Sequence, residues 1–272
     1  MVSGAKLFGP AARRLVAPDR WTDQYPAWPA WAKELDALLL FAEEQGRLAD
    51  FVPRLESRNT QRDEALNELR VAYFLHHSEF RIVQWEPPGL NGRVGEYLVA
   101  TPEKSVFVEV KSPGWEGELS DGERRAGRTK QPKYQQGEGG AFGNWQAVQK
   151  CIASDKTYPK FSANQSNLLV IADDLRVSLH NSLNHVEIAL YAEHKLYGET
   201  GYFTSARFEN LGGVGVFGAT SPAFSANGGI HYEFKIFDNP YASASTKLPD
   251  SILKFKAKAN GVVRSTFVAR RA

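Results

Sequence analysis

The sequence predicts an α+β or mixed α/β domain, with a mixed central sheet flanked by helices. Three observations predict it. Apolar residues recur at helical spacing in the first part of the chain. Three strand patterns joined by short turns follow between residues 80 and 111, and helical and strand patterns then alternate to about residue 237. A length of 272 residues suits one large domain or a domain with an extension. With 42% hydrophobic and 24% charged residues, the chain falls in the folded rather than the disordered class.

Residues 1–30, rich in Pro, Trp and Arg, read as irregular. Trp31, Leu35, Leu38, Leu39 and Ala42 predict a helix from residue 31 to about 48. A second helix is predicted over 60–77, with Asn59 or Thr60 as N-cap and Asp63 and Glu64 in its first turn. The pattern then changes to period two. FRIVQW (80–85), RVGEYLVA (93–100) and VFVEVK (106–111) read as strands, and their short connections make them an antiparallel meander. Residues 112–144 are rich in Gly and Pro and read as a long loop, and NWQAVQKCIASDK (144–156) reads as a helix. SNLLVIADD (166–174) is a buried strand by its continuous apolar run, and Asp173-Asp174 at its end reads as a cap for the next segment. Residues 178–197 read as a helix, and ENLGGVGVFGA (209–219) and IHYEFKIF (230–237) as strands. The organisation expected is an N-terminal helical extension (1–59), a main domain (60–246) and a basic C-terminal tail (247–272).

Lys plus Arg is 33 against 31 for Asp plus Glu, so only local patches speak to nucleic acid. The single cysteine, Cys151, excludes a disulfide framework within the chain and fits a reducing, cytoplasmic compartment. The longest apolar run, 37–42, is too short for a bilayer, and the N-terminal stretch lacks the apolar core of a secretory signal. No membrane partner is expected. An oligomer is compatible with the sequence but not indicated by it.

Chemistry concentrates in the meander. Successive strand side chains point to opposite faces, so Val106, Val108 and Val110 share one face and Phe107, Glu109 and Lys111 the other. Glu109 and Lys111 read either as a solvated edge or as half of an active site. Glu96 lies in the preceding strand, across a tight turn. On a helical wheel Glu68 falls inside the apolar stripe of the 60–77 helix, while Glu64 lies at its edge. Two carboxylates with a lysine suit metal-assisted phosphodiester hydrolysis: hard cations such as Mg²⁺ take oxygen ligands, and an ammonium orients water or stabilises charge on phosphate oxygens.

The run ELRVAYFLHHSEFRIVQW, then GEYLV, then VFVEVK resembles the core of the PD-(D/E)XK nuclease superfamily over about residues 60–175. The resemblance implies a restriction endonuclease-like core and a Mg²⁺- or Mn²⁺-dependent nuclease, with DNA favoured over RNA. It puts Glu68 at the helix position, Glu96 at the second-strand acid and Glu109-x-Lys111 at the third-strand motif. It implies metal binding by Glu96 and Glu109 with support from Glu68. In the 144–156 helix, where these nucleases often add a Gln or Lys, it points to Gln146, Gln149 or Lys150, with Gln149 preferred. The chain has Gly95-Glu96 where the family has Pro-Asp, and this departure motivates the alternative of a catalytically inactive binding or interaction module.

Arg124, Arg125, Arg128, Lys130 and Lys133 form a basic run in the Gly-rich loop, suited to phosphate contact or to a solvated loop. Trp115 and Tyr134 in the same loop could stack on exposed bases. GVGVFG (213–218) matches G-x-G-x-x-G in letters, but its β-branched and aromatic residues predict a glycine-rich strand rather than a dinucleotide site. His76-His77 offers no zinc pattern and reads as packing or surface.

Overall fold

A computed structural model describes residues 28–56, 60–112, 151–154, 156–173, 186–193, 200–220 and 231–256. Three helices open it: α1 (Trp28–Glu44), α2 (Leu48–Glu56) and α3 (Thr60–His77). Helix α1 stops short of the expected residue 48 because Gly46 turns the chain. Gly46 takes a left-handed φ of 69°, and the Arg47 N–H reaches back to the Ala42 carbonyl at 2.7 Å. That pair of features is a glycine-terminated helix end. Helix α2 lies outside the sequence reading. Phe51 and Leu55 are its buried side, with Leu48 and Val52 packed alongside, an amphipathic spacing that Pro53 inside the helix disguises.

Among the described residues, six strands form one mixed sheet in chain order: β1 (Arg81–Trp85), β2 (Tyr97–Ala100), β3 (Ser105–Lys111), β4 (Ser166–Asp173), β5 (Gly213–Thr220) and β6 (His231–Asp238). The β1–β2–β3 meander is antiparallel, β3–β4 and β4–β5 are parallel, and β5–β6 is antiparallel. The parallel centre demands cover on both faces, and two apolar layers provide it. Val106, Val108 and Val110 of β3 with Leu168 and Val170 of β4 face α1, α2 and α3. Phe107, Leu169, Ile171, Val214 and Val216 face Phe161, Leu190, Phe203 and Phe208. The helices of residues 28–56 thus share the core of the domain.

The GVGVFG run is the strand β5. A side chain at Gly213 would meet Leu248 Cδ1 at 2.7 Å, and one at Gly215 the Phe234 ring at 2.6 Å, so the glycines admit close packing. The basic stretch from Lys247 begins inside the domain. Leu248 and Ile252 are buried, the latter in the short helix α4 (Asp250–Leu253), and the Ile236 N–H on β6 donates to the Phe255 carbonyl at 3.0 Å. Residues 186–191 are helical, within the predicted 178–197 segment. His77 stacks on Tyr73 with ring centroids 4.0 Å apart, in a packing role.

Candidate active site

The residues singled out in the meander meet where β3 ends, β2 begins and the middle of α3 crosses them. Glu109 and Lys111 stand on β3. Glu96 sits one residue before β2, outside the strand itself, and its N–H donates to the Val108 carbonyl at 3.1 Å, next to Glu109. Glu68 projects from α3, whose Tyr97-facing turn is marked by the Tyr97 hydroxyl donating to the Glu68 carbonyl at 3.4 Å. Asn67 on the same turn donates to the Ser112 hydroxyl at 3.1 Å, tying α3 to the end of β3.

The solvated-edge reading of Glu109 is overturned: its exposure is 0%. The face opposite the valines is covered by the second apolar layer, which a strand's two-residue alternation cannot reveal. The Lys111 ammonium pairs directly with Glu109 Oε1. Lys160, in the single helical turn Tyr158–Lys160 ahead of β4, donates to the same oxygen at 2.6 Å. Glu109 Oε2 is buried with no hydrogen-bond partner among the described residues. Glu68 is paired too: Arg54 of α2 donates to its Oε2 at 2.6 Å. Neither Arg54 nor Lys160 is legible as a site residue, since the contact with Glu109 spans 51 positions and that with Glu68 depends on α2.

Electrostatics tie the three acids together. Burial, with the charges of Glu68 and Glu109, lifts the Glu96 carboxyl to about 8, against the opposing pull of Lys111 and Lys160. Burial lifts Glu68 as well, although Arg54 opposes it. Lys111 is held above the ordinary lysine range: burial works against its charge, and Glu109 more than offsets this. Burial pushes the Cys151 thiol to about 11 in spite of the nearby Lys111 charge, so the helical residues 151–153 border the site. Gln146, Gln149 and Lys150 of the predicted helix lie outside the described residues. So do Arg124, Arg125, Arg128, Lys130 and Lys133, with Trp115 and Tyr134.

A raised carboxyl makes folding hold a proton that the unfolded chain releases. Stability contributed by Glu96 is therefore present below its unfolded value near 4.5 and is lost as pH rises toward about 8. The slope from one such group is at most about 1.4 kcal/mol per pH unit. Thermal unfolding between pH 5 and 8.5 is expected to show the wild type losing stability with rising pH and a Glu96→Gln variant losing much less.

Packing and a backbone hydrogen bond call for glycine at position 95. A Cβ there would lie 2.3 Å from the Phe107 ring, which is buried two residues before Glu109. The Gly95 N–H also donates to the Pro87 carbonyl at 2.9 Å, a bond that proline cannot make. Gly95→Ala is expected to destabilise by about 1–3 kcal/mol through overpacking, as read by denaturant unfolding.

The donors suit a hard cation. Mg²⁺ is commonly held by one or two carboxylates with water and phosphate completing its shell, and the unpartnered Glu109 Oε2 and the uncomfortable Glu96 carboxyl are two such oxygens. Among the described residues, no three of His, Cys, Asp and Glu form a ready-made cage. Comparison of the chain with protein-family models, curated proteins and solved structures found no match.

Proposed function

We propose that this chain is a divalent-cation-dependent nuclease with a restriction endonuclease-like core, a PD-(D/E)XK-type enzyme that hydrolyses phosphodiester bonds, DNA before RNA. One observation carries the reading: Glu68 from a helix, Glu96 at the head of a strand and Glu109 with Lys111 on the next strand share one partly enclosed electrostatic site. The sequence of helix, three-strand meander and parallel fourth strand is consistent with such a core.

Glu96 and Glu109 would hold Mg²⁺ or Mn²⁺, with Glu68 supporting it through water. The bound ion would polarise the phosphate and lower the pKa of the attacking water. Lys111 remains an ammonium at neutral pH, so it serves to orient the water and stabilise charge on the phosphate oxygens rather than to accept a proton. The contacts of Lys111 and Lys160 to Oε1 hold the Glu109 side chain in place as the substrate approaches.

A second reading, an inactive interaction module, draws on a different observation: Arg54 already pairs Glu68, and two lysines already pair Glu109. Plasmid, linear duplex, single-stranded DNA and RNA, each incubated with Mg²⁺, Mn²⁺ or EDTA, separate the two. The nuclease reading expects cutting that EDTA abolishes. Folded protein that cuts none of them supports the interaction module.

A further inference from the structure

Lys160 is an unusual neighbour for Glu109. Two ammonium groups crowd onto one carboxylate oxygen, Oε1, while Oε2 of the same group has no partner among the described residues. Geometry that served only to neutralise Glu109 would need one lysine, and a second would be better placed on the free oxygen. A lysine carries three donors, and the contact to Glu109 is the one polar contact of the Lys160 ammonium among the described residues. The side chain is only 13% exposed.

Its backbone is met at two points by one loop. Asn91 donates to the Pro159 carbonyl at 3.2 Å, and Gly89 lies so close that a Cβ there would sit 3.0 Å from the Lys160 carbonyl. Both residues belong to the β1–β2 connection, the segment that also delivers Glu96. The loop that positions an acid of the site therefore also positions this lysine. Two neighbouring ammoniums on one carboxylate oxygen are complementary to an anion with several oxygens.

We infer that Lys160 is a phosphate-binding lysine of this site, contacting the nucleic-acid backbone while Lys111 stays with Glu109. This rests on the nuclease reading, since it names the substrate group that the second lysine takes. It requires no bound cation and predicts behaviour in the metal-free protein.

The test is equilibrium binding of a labelled DNA duplex in EDTA over a salt series, for wild type, Lys160→Met, Lys160→Gln and Lys235→Met. Lys235 is exposed on β6, at the far edge of the sheet, and removes the same charge away from the site. Both Lys160 variants are expected to bind about tenfold more weakly, with the slope of log affinity against log salt reduced by about one, the signature of one lost phosphate contact. Lys235→Met is expected to match the wild type. Glu109 keeps Lys111 in every variant, and Lys160→Gln also keeps a donor for it, so folding is retained and is checked by thermal unfolding. Lys160 variants that match Lys235→Met overturn the inference while leaving the nuclease reading intact. A wild type that does not bind the duplex also overturns the inference, and the metal-dependent cleavage assay then decides separately whether the nuclease reading fails with it.

Discussion

Lys111→Ala is expected to keep the fold and to lose metal-dependent cutting by about a hundredfold or more, the usual cost of removing one preorganised charge from a transition state. The fold survives because Glu109 keeps a partner: Lys160 remains 2.6 Å from Oε1. The activity is expected to fall because Lys160 comes from the turn ahead of β4 and not from the strand that carries Glu109, and so does not take the place of the Lys111 ammonium. Lys111→Arg is not a rescue, since a planar guanidinium cannot occupy the place of a compact ammonium. Single-turnover cleavage read beside thermal unfolding separates lost chemistry from lost structure.

The largest stability effect is expected away from the site. Arg70 of α3 is 0% exposed and makes a forked pair with Glu34 of α1, both contacts at 2.8 Å. The Tyr232 hydroxyl of β6 completes the cluster, donating to Glu34 at 2.6 Å. Burial and the Glu34 charge hold that phenol well above its ordinary value, so it stays a donor. Glu34→Ala leaves a buried guanidinium without its carboxylate and is expected to cost about 3–5 kcal/mol, enough to threaten a domain of ordinary stability. Denaturant unfolding of the variant measures the loss. Replacing both charges by apolar residues of similar size is expected to recover most of it. The cluster joins positions separated by 198 residues and ties α1 and β6 to α3, the helix that carries Glu68.

Much of this was legible in the residues, and the exceptions have physical causes. Helix α3 has the expected 60–77 extent and β1 and β3 fall within a residue of theirs, because their periods and turn signals are clean; β2 begins at Tyr97 rather than residue 93, so Glu96 precedes the strand. Glu68 stood out because a charge inside an apolar stripe needs a reason, and burial with Arg54 and the neighbouring acids supplies it. Glu109 was ambiguous because alternation tells which residues share a face but not whether a second layer covers that face; Phe161 and its neighbours do so. Helix α2 was hidden by an internal proline, and Arg54 was hidden with it. The Glu34–Arg70–Tyr232 cluster and Lys160 depend on contacts between distant segments, for which local pattern holds no signal. The tail reads as basic because seven Lys and Arg stand there against one acid, Asp250, yet Leu248 and Ile252 are buried and anchor its first part in the domain.

The central claim is that Glu96 and Glu109 form a divalent-cation site. Calorimetric titration of Mn²⁺ into wild type, Glu96→Gln and Glu109→Gln tests it most directly, with folding of each variant verified. The expected result is uptake by the wild type, and loss of that uptake in both variants. Wild-type protein that takes up no Mn²⁺, or variants that bind it as the wild type does, would contradict the claim and leave the acids and lysines as a buried ion-pair network.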